Sequence, residues 1–175
     1  MKFVPEVEFS TGLLRPLRED DLPTIVKIYQ KSMPAGQSQE AVEEQAKRLL
    51  NLAVQMAATQ RGLMWAIESE GVMQGMLSLY DWQPTTLKTL MKLDALESLS
   101  VDCQVQCIEA AIEFLQGKYH LRNFSYQWVE NDGEGVKDVF IQAGFTQQAV
   151  LRDGRRTGQD SYIDVTLMSR ILETE

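Results

Sequence analysis

Hydrophobic positions recur at helical spacing through most of the first third of the chain, and from Leu63 onward they alternate. Leu13 to Leu17 is a short apolar-rich strand. "REDDLPTIVKIYQKS" then reads as a helix. Ile25, Ile28 and Tyr29 form its inner face, Asp20 and Asp21 sit at its positive end, and Pro23 lies in its first turn. Pro34, Ala35 and Gly36 break it. A longer helix is predicted from a Ser38 cap to Gln60, with Val42, Ala46, Leu49, Ala53 and Met56 on one face and Gly62 after its end.

Beyond Gly62 the pattern is that of strands. "LMWAIES", the "EGVMQG" turn and "MLSLYDW" predict an antiparallel hairpin, and Leu87 to Leu96 a further strand. "SLSVDCQVQCIEAAIEFL" carries a helix with Val105, Ile108, Ala111, Ile112 and Leu115 on one face. "NFSYQWVE" reads as a strand, "NDGEG" as a turn, and "VKDVFIQA" as a short helix ending at Gly144, which suits a left-handed cap. "TQQAVLR" and "SYIDVTLMS" are two strands joined by "DGRRTGQD"; Ile163, Val165 and Leu167 share a face of the second. The order is strand, two helices, three strands, helix, strand, helix, two strands. That predicts a mixed α/β domain around one sheet.

At 175 residues the chain fits one domain, residues 1–175, with a substantial core. A net charge of −8 argues against non-specific binding to nucleic acid or an anionic membrane. No apolar run approaches the ~20 residues of a membrane span and no basic-then-apolar leader opens the chain, so a cytoplasmic protein is expected. Cys103 and Cys107, four apart on a helix, read as reduced thiols near the core. With one histidine, His120, placed at a helix end, neither a metal site nor a histidine-based nucleophile is expected.

The element order and three local stretches resemble the GNAT superfamily of acyl-CoA-dependent N-acetyltransferases, in its branch acting on ribosomal-protein N-termini and similar amines. "LLRPLREDDLPTI" looks like that branch's opening strand and first helix. "VKDVFIQAGF" is similar to its last helix and Gly-Phe step. "AVLRDGRRTGQDSYIDVTLMS" looks like its final hairpin. The resemblance spans nearly the whole chain. It implies a mostly antiparallel sheet flanked by about four helices, with a splayed central strand pair.

It also implies a cofactor, acetyl-CoA, whose pyrophosphate would rest on backbone N–H groups between the fourth strand and the third helix. Helix-start amides lack internal partners and the helix dipole favours an anion there. The implied surroundings are Leu96, Leu99, Ser100, Val101, Cys103, Gln104, Val105, Gln106, Asn131 and Phe140. The family pattern at this turn is Arg or Gln, two residues, Gly, one residue, then Gly or Ala. Ser100, Cys103 and Val105 stand on those positions, and all three depart from it. A β-branched Val105 resists a left-handed backbone, which costs about 1–2 kcal/mol even for ordinary residues. Asp102 is a good helix cap that would occupy the amides and repel phosphate, and Glu97 adds charge of the same sign.

A second departure lies near the last helix. Phe140 holds the position where many relatives have a tyrosine as acid for the leaving thiolate. Gly133 and Val136 stand where the branch often has Asn and Ser, with Asn131 displaced. Candidate bases are Glu97 and Asp94; Tyr126 and Tyr162 are candidate acids. Arg155 and Arg156 form a basic loop suited to an acidic acceptor or to cofactor phosphate. Two readings stay open. One is an N-acetyltransferase in which a small-molecule or peptide amine attacks the thioester directly, alone or as a homodimer. The other is a silent GNAT-shaped binding or regulatory protein that has lost ordinary acetyl-CoA binding.

Overall fold

The computed structural model describes residues 4–32 and 36–173. The expected break at Pro34 and Ala35 lies outside the described residues. Eight strands form one sheet: β1 (Val7–Phe9), β2 (Gly12–Pro16), β3 (Leu63–Ser69), β4 (Val72–Gln83), β5 (Lys88–Ala95), β6 (Asn123–Trp128), β7 (Thr146–Arg156) and β8 (Tyr162–Ile171). Their order is β1-β2-β3-β4-β5-β6-β8-β7. Every neighbouring pair is antiparallel except β5 and β6. The helices are α1 (Leu22–Ser32), α2 (Gln39–Ala58), α3 (Val101–Tyr119) and α4 (Glu134–Gln142).

The predicted element order holds, with one strand added. β1 is only three residues long, too short for an alternating pattern to show, and it exists by pairing with β2. The Ser38 cap is present, its hydroxyl accepting from Ala41 N–H at 3.2 Å. The β3–β4 turn, Glu70 and Gly71, has positive φ at both residues, as a tight hairpin requires. Gly144 has φ of +90°, and Phe145 N–H reaches back to the Phe140 carbonyl to close α4. Two boundaries differ. α2 ends at Ala58, two residues before the predicted Gln60. β7 runs on to Arg156, so the first half of the predicted connecting loop is strand, kinked by a bulge between Leu151 and Arg155.

Helices cover both faces. On one, α3 buries Cys103, Cys107, Ile108, Ala111, Ile112 and Leu115 against Trp65, Leu77 and Phe124, and Phe140 of α4 and Phe145 complete this core. On the other, Ile25 and Ile28 of α1 and Ala46 of α2 pack on Ala66, Met73 and Met76. Both cysteines are free and buried, and burial pushes the Cys107 thiol up. Among the described residues, no helix is long and apolar enough to cross a membrane.

Asp21 was expected at the positive end of the first helix. It lies instead in a short 3-10 turn, Glu19–Asp21, and is 5% exposed. The Arg15 guanidinium grips its two oxygens in a bidentate pair at 2.8 Å each, and Arg18 N–H donates to the same carboxylate at 2.8 Å. Arg15 Nε also donates to Glu68 on β3. This staple fixes where α1 leaves the sheet. Burial would raise the Asp21 pKa, but the bonds from Arg15 and Arg18 outweigh it and hold the carboxyl below its ordinary value. Asp21→Asn removes a buried partner and should cost about 3 kcal/mol in urea denaturation at neutral pH. A lowered folded pKa stabilises fully above the ordinary carboxylate value of about 4 and less as pH falls through the lowered one. The gap between wild type and variant should therefore narrow on acidification below that value.

Candidate functional site

β5 and β6 are the products of a crossover through α3, and they share a ladder over only three pairs, Lys88–Asn123, Thr89–Phe124 and Leu90–Ser125. Beyond them Met91–Ala95 and Tyr126–Trp128 part company, and a cleft opens between their edges. One chamber of about 460 Å³ is lined by Tyr80 of β4, Lys92 and Asp94 of β5, Tyr126 of β6, Asp132, Arg155 of β7, and Ile28 and Lys31 of α1. A second of about 350 Å³ is lined by Leu96, Leu99, Val101 and Gln104 at the start of α3, with Gly135, Val136 and Val139 of α4. Lys31, Leu93, Ala95, Asp132 and Val136 line both, so the chambers adjoin.

The expected anion turn is at the mouth of the second chamber, but it is capped differently. Ser100, not Asp102, is the cap: its hydroxyl accepts from Cys103 N–H at 3.2 Å. Helical geometry starts at Val101, which places Asp102 inside the first turn, where its exposed carboxylate complements the dipole. Gln104 N–H goes to the Ser100 carbonyl and its side chain to the Leu99 carbonyl at 2.9 Å. The Val101 and Asp102 N–H groups have no partner among the described residues.

The candidate cofactor residues therefore divide. Leu96, Leu99, Val101 and Gln104 line the second chamber and Asn131 the first, with Ser100 beside them at the cap. Cys103 and Phe140 are in the core at 3% and 0% exposure, and Val105 packs against it. Gln106 points elsewhere, accepting from Ser10 and Thr11 hydroxyls at 2.6 and 2.8 Å on the β1–β2 turn. Glu97 is on the rim of the second chamber, 94% exposed, its carboxylate 3.8 Å from Lys31 Nζ. Tyr162, at the start of β8, is exposed and lines neither chamber.

The first chamber concentrates the charge. Burial raises the Asp94 pKa; Lys92, 3.9 Å away, opposes this and Asp132 adds to it. Tyr126 stacks on Phe140 at 4.0 Å between ring centroids and donates its hydroxyl to Asp132 Oδ2 at 3.3 Å. Burial, then the Asp132 charge, pushes Tyr126 far above the ordinary tyrosine value. Tyr80 is raised by burial, with Arg155 opposing and Asp94 and Asp132 adding. Arg155 and Arg156 have separate fates. Arg155 lines the chamber, whereas Arg156 ties the hairpin tip through the Gly158 and Gln159 carbonyls at 2.8 and 2.7 Å.

Sequence reasoning missed Tyr80, Asp132, Lys92 and Lys31. Lys31 had a signal, since it follows the inward-facing Ile28 by three residues on α1. Asp132 had none, because its aim depends on the tight turn Glu130–Asp132 folding back on β6.

No family model matches the sequence, and no curated protein matches it. Solved structures do. A ribosomal-protein alpha-N-acetyltransferase, RimL, in complex with coenzyme A superposes with a TM-score of 0.81 at 17% identity, covering 96% of this chain and 98% of that one. The chain has the GNAT acetyltransferase fold. A Salmonella typhimurium acetyl transferase that modifies the N-terminal serine of a 50S ribosomal subunit protein gives 0.80 at 18% identity, covering 97% and 100%. MccE, a microcin self-immunity acetyltransferase in complex with acetyl-CoA and AMP, gives 0.80 at 10%, covering 98% and 99%. Within this GNAT fold the splayed pair is β5 and β6, as the resemblance implied.

The Asp94 carboxyl should titrate above the ordinary carboxylate range in carbon-detected NMR. Asp132→Asn should lower its pKa by removing a like charge, and Lys92→Met should raise it by removing the opposite one.

Proposed function

We propose that this protein is an acetyl-CoA-dependent N-acetyltransferase whose acceptor is an amine of a protein or peptide. The observation that carries this reading is the β5–β6 cleft. It joins free helix-start amides at one end to a half-buried carboxyl of raised pKa at the other. The likeness to acetyltransferase structures supports it.

The residues present fit the cofactor in part. Val101 and Asp102 N–H groups are available to phosphate. Leu93, Ala95, Val136 and Val139 offer an apolar path, and the unladdered edge of β5 offers backbone groups to an extended amide-bearing arm. Against it stand the Asp102 carboxylate and the Ser100 cap, which already holds Cys103 N–H. Affinity for the cofactor should therefore be modest, carried by main-chain donors.

When bound, the cofactor supplies an acyl group activated as a thioester. Asp94 is the base of this reading. Its raised pKa makes it a better proton acceptor than an ordinary carboxylate, while Glu97 lies out in water. Asp94 takes a proton from the attacking amine as the new C–N bond forms. With Phe140 in place of a tyrosine, Asp94 would also be the group that returns the proton to the leaving thiolate. Tyr126 is a poor acid, because its site holds its proton too tightly to yield it to a thiolate. Its role is to hold Asp132 against β6.

Acetyl-CoA at about 100 times its Kd should add about 2.7 kcal/mol of stability and raise the Tm. No shift at millimolar cofactor would favour the silent GNAT-shaped protein, the reading that the self-capped turn supports. Asp94→Asn should lower kcat/KM by about 100-fold or more, with cofactor affinity held within about twofold. An equal loss of rate and of cofactor affinity would remove Asp94 from the base's role.

A further inference from the structure

Three cations line the first chamber, and their pairing differs. Lys31 lies 3.8 Å from Glu97 and Lys92 lies 3.9 Å from Asp94. Arg155 has no acidic partner and no side-chain hydrogen bond among the described residues, yet it lines the chamber with Asp94 and Tyr126. Alternation along β7 separates it from Arg156, which serves the hairpin tip. The bulge between Leu151 and Arg155 resets the strand register just before it.

We propose that Arg155 selects acceptors that carry a carboxylate close to the reacting amine. This rests on the acetyl-transfer reading for the word acceptor, but the recognition itself does not need catalysis. Cofactor phosphate is the competing occupant. It belongs at the start of α3, in the chamber lined by Leu99, Val101 and Gln104, which Arg155 does not line. An acidic acceptor meets repulsion over most of a chain of net charge −8. A single uncommitted guanidinium in the same chamber as the base reverses that locally. It can take a carboxylate through two parallel N–H bonds, and it does so within the chamber that holds the group receiving the amine's proton. The same geometry disfavours a lysine-rich acceptor.

The test uses the full chain and two hexapeptides with free amino termini, identical except that Glu at the second to fourth positions is replaced by Gln. Calorimetry with coenzyme A present reads binding, and thiol release from acetyl-CoA reads transfer. The wild type should bind the Glu peptide at least fivefold more tightly, with the ratio shrinking as salt is raised. Arg155→Gln should bring the ratio close to one, and Arg155→Lys should keep part of it. A wild-type ratio near one, or one unaltered in Arg155→Gln, overturns the proposal. Charge-selective binding without transfer upholds Arg155 and defeats the acetyl-transfer reading. Transfer without charge selection does the reverse.

Discussion

The structure depends on a ladder that stops early. Only the first residues of β5 and β6 pair, and the crossover through α3 makes them the one parallel pair in an otherwise antiparallel sheet among the described residues. A full-length ladder would run the outer half of β5 from Met91 onward against Tyr126–Trp128 and close the cleft. Where the two strands diverge, Phe140 stacks on Tyr126 and meets Phe145 edge-on, packing β6 against the α4 side. On the opposite face, α1 is pinned by Arg15 and Asp21, so Ile28 and Lys31 form a wall rather than filling the gap.

Charge then gives the two ends of the cleft different characters. At the α3 end the backbone supplies the positive potential and the side chains Asp102 and Glu97 work against it. Both are exposed, so solvent and salt mute their repulsion while the amide dipoles stay fixed. At the other end, burial makes Asp94 a stronger base and leaves Tyr126 a firm hydrogen-bond donor. Substitutions that look like losses beside the family pattern thus fall on side chains. The groups that an extended, phosphorylated ligand needs from this fold are main-chain ones.

Much of the fold was legible because it is set by local chemistry. Ser38 caps where a serine precedes a helical period, Gly144 takes the left-handed position, and His120 ends α3 with φ of +59°. The parts that were not legible rest on contacts distant in sequence. Asp21 read only as an acidic residue at a helix start; its burial with Arg15, which also pairs with Glu68, depends on β2 and β3. Arg155 and Arg156 read as one basic loop, because nothing local shows that β7 continues through Asp153 and Gly154. The cap at α3 was misassigned between two good capping residues, Ser100 and Asp102. Choosing between them needs the helix start to within a residue, and sequence patterns place it only to within a few.

The most direct test of the account is amide hydrogen exchange across residues 91–104, with and without coenzyme A. This segment holds the outer half of β5 and the first turn of α3. If the splayed strands receive the cofactor, exchange should slow there and at residues 136–139 of α4, while β1 and β2 keep their rates. Unaltered exchange over 91–104 at saturating coenzyme A, or protection confined to another part of the sheet, would contradict it.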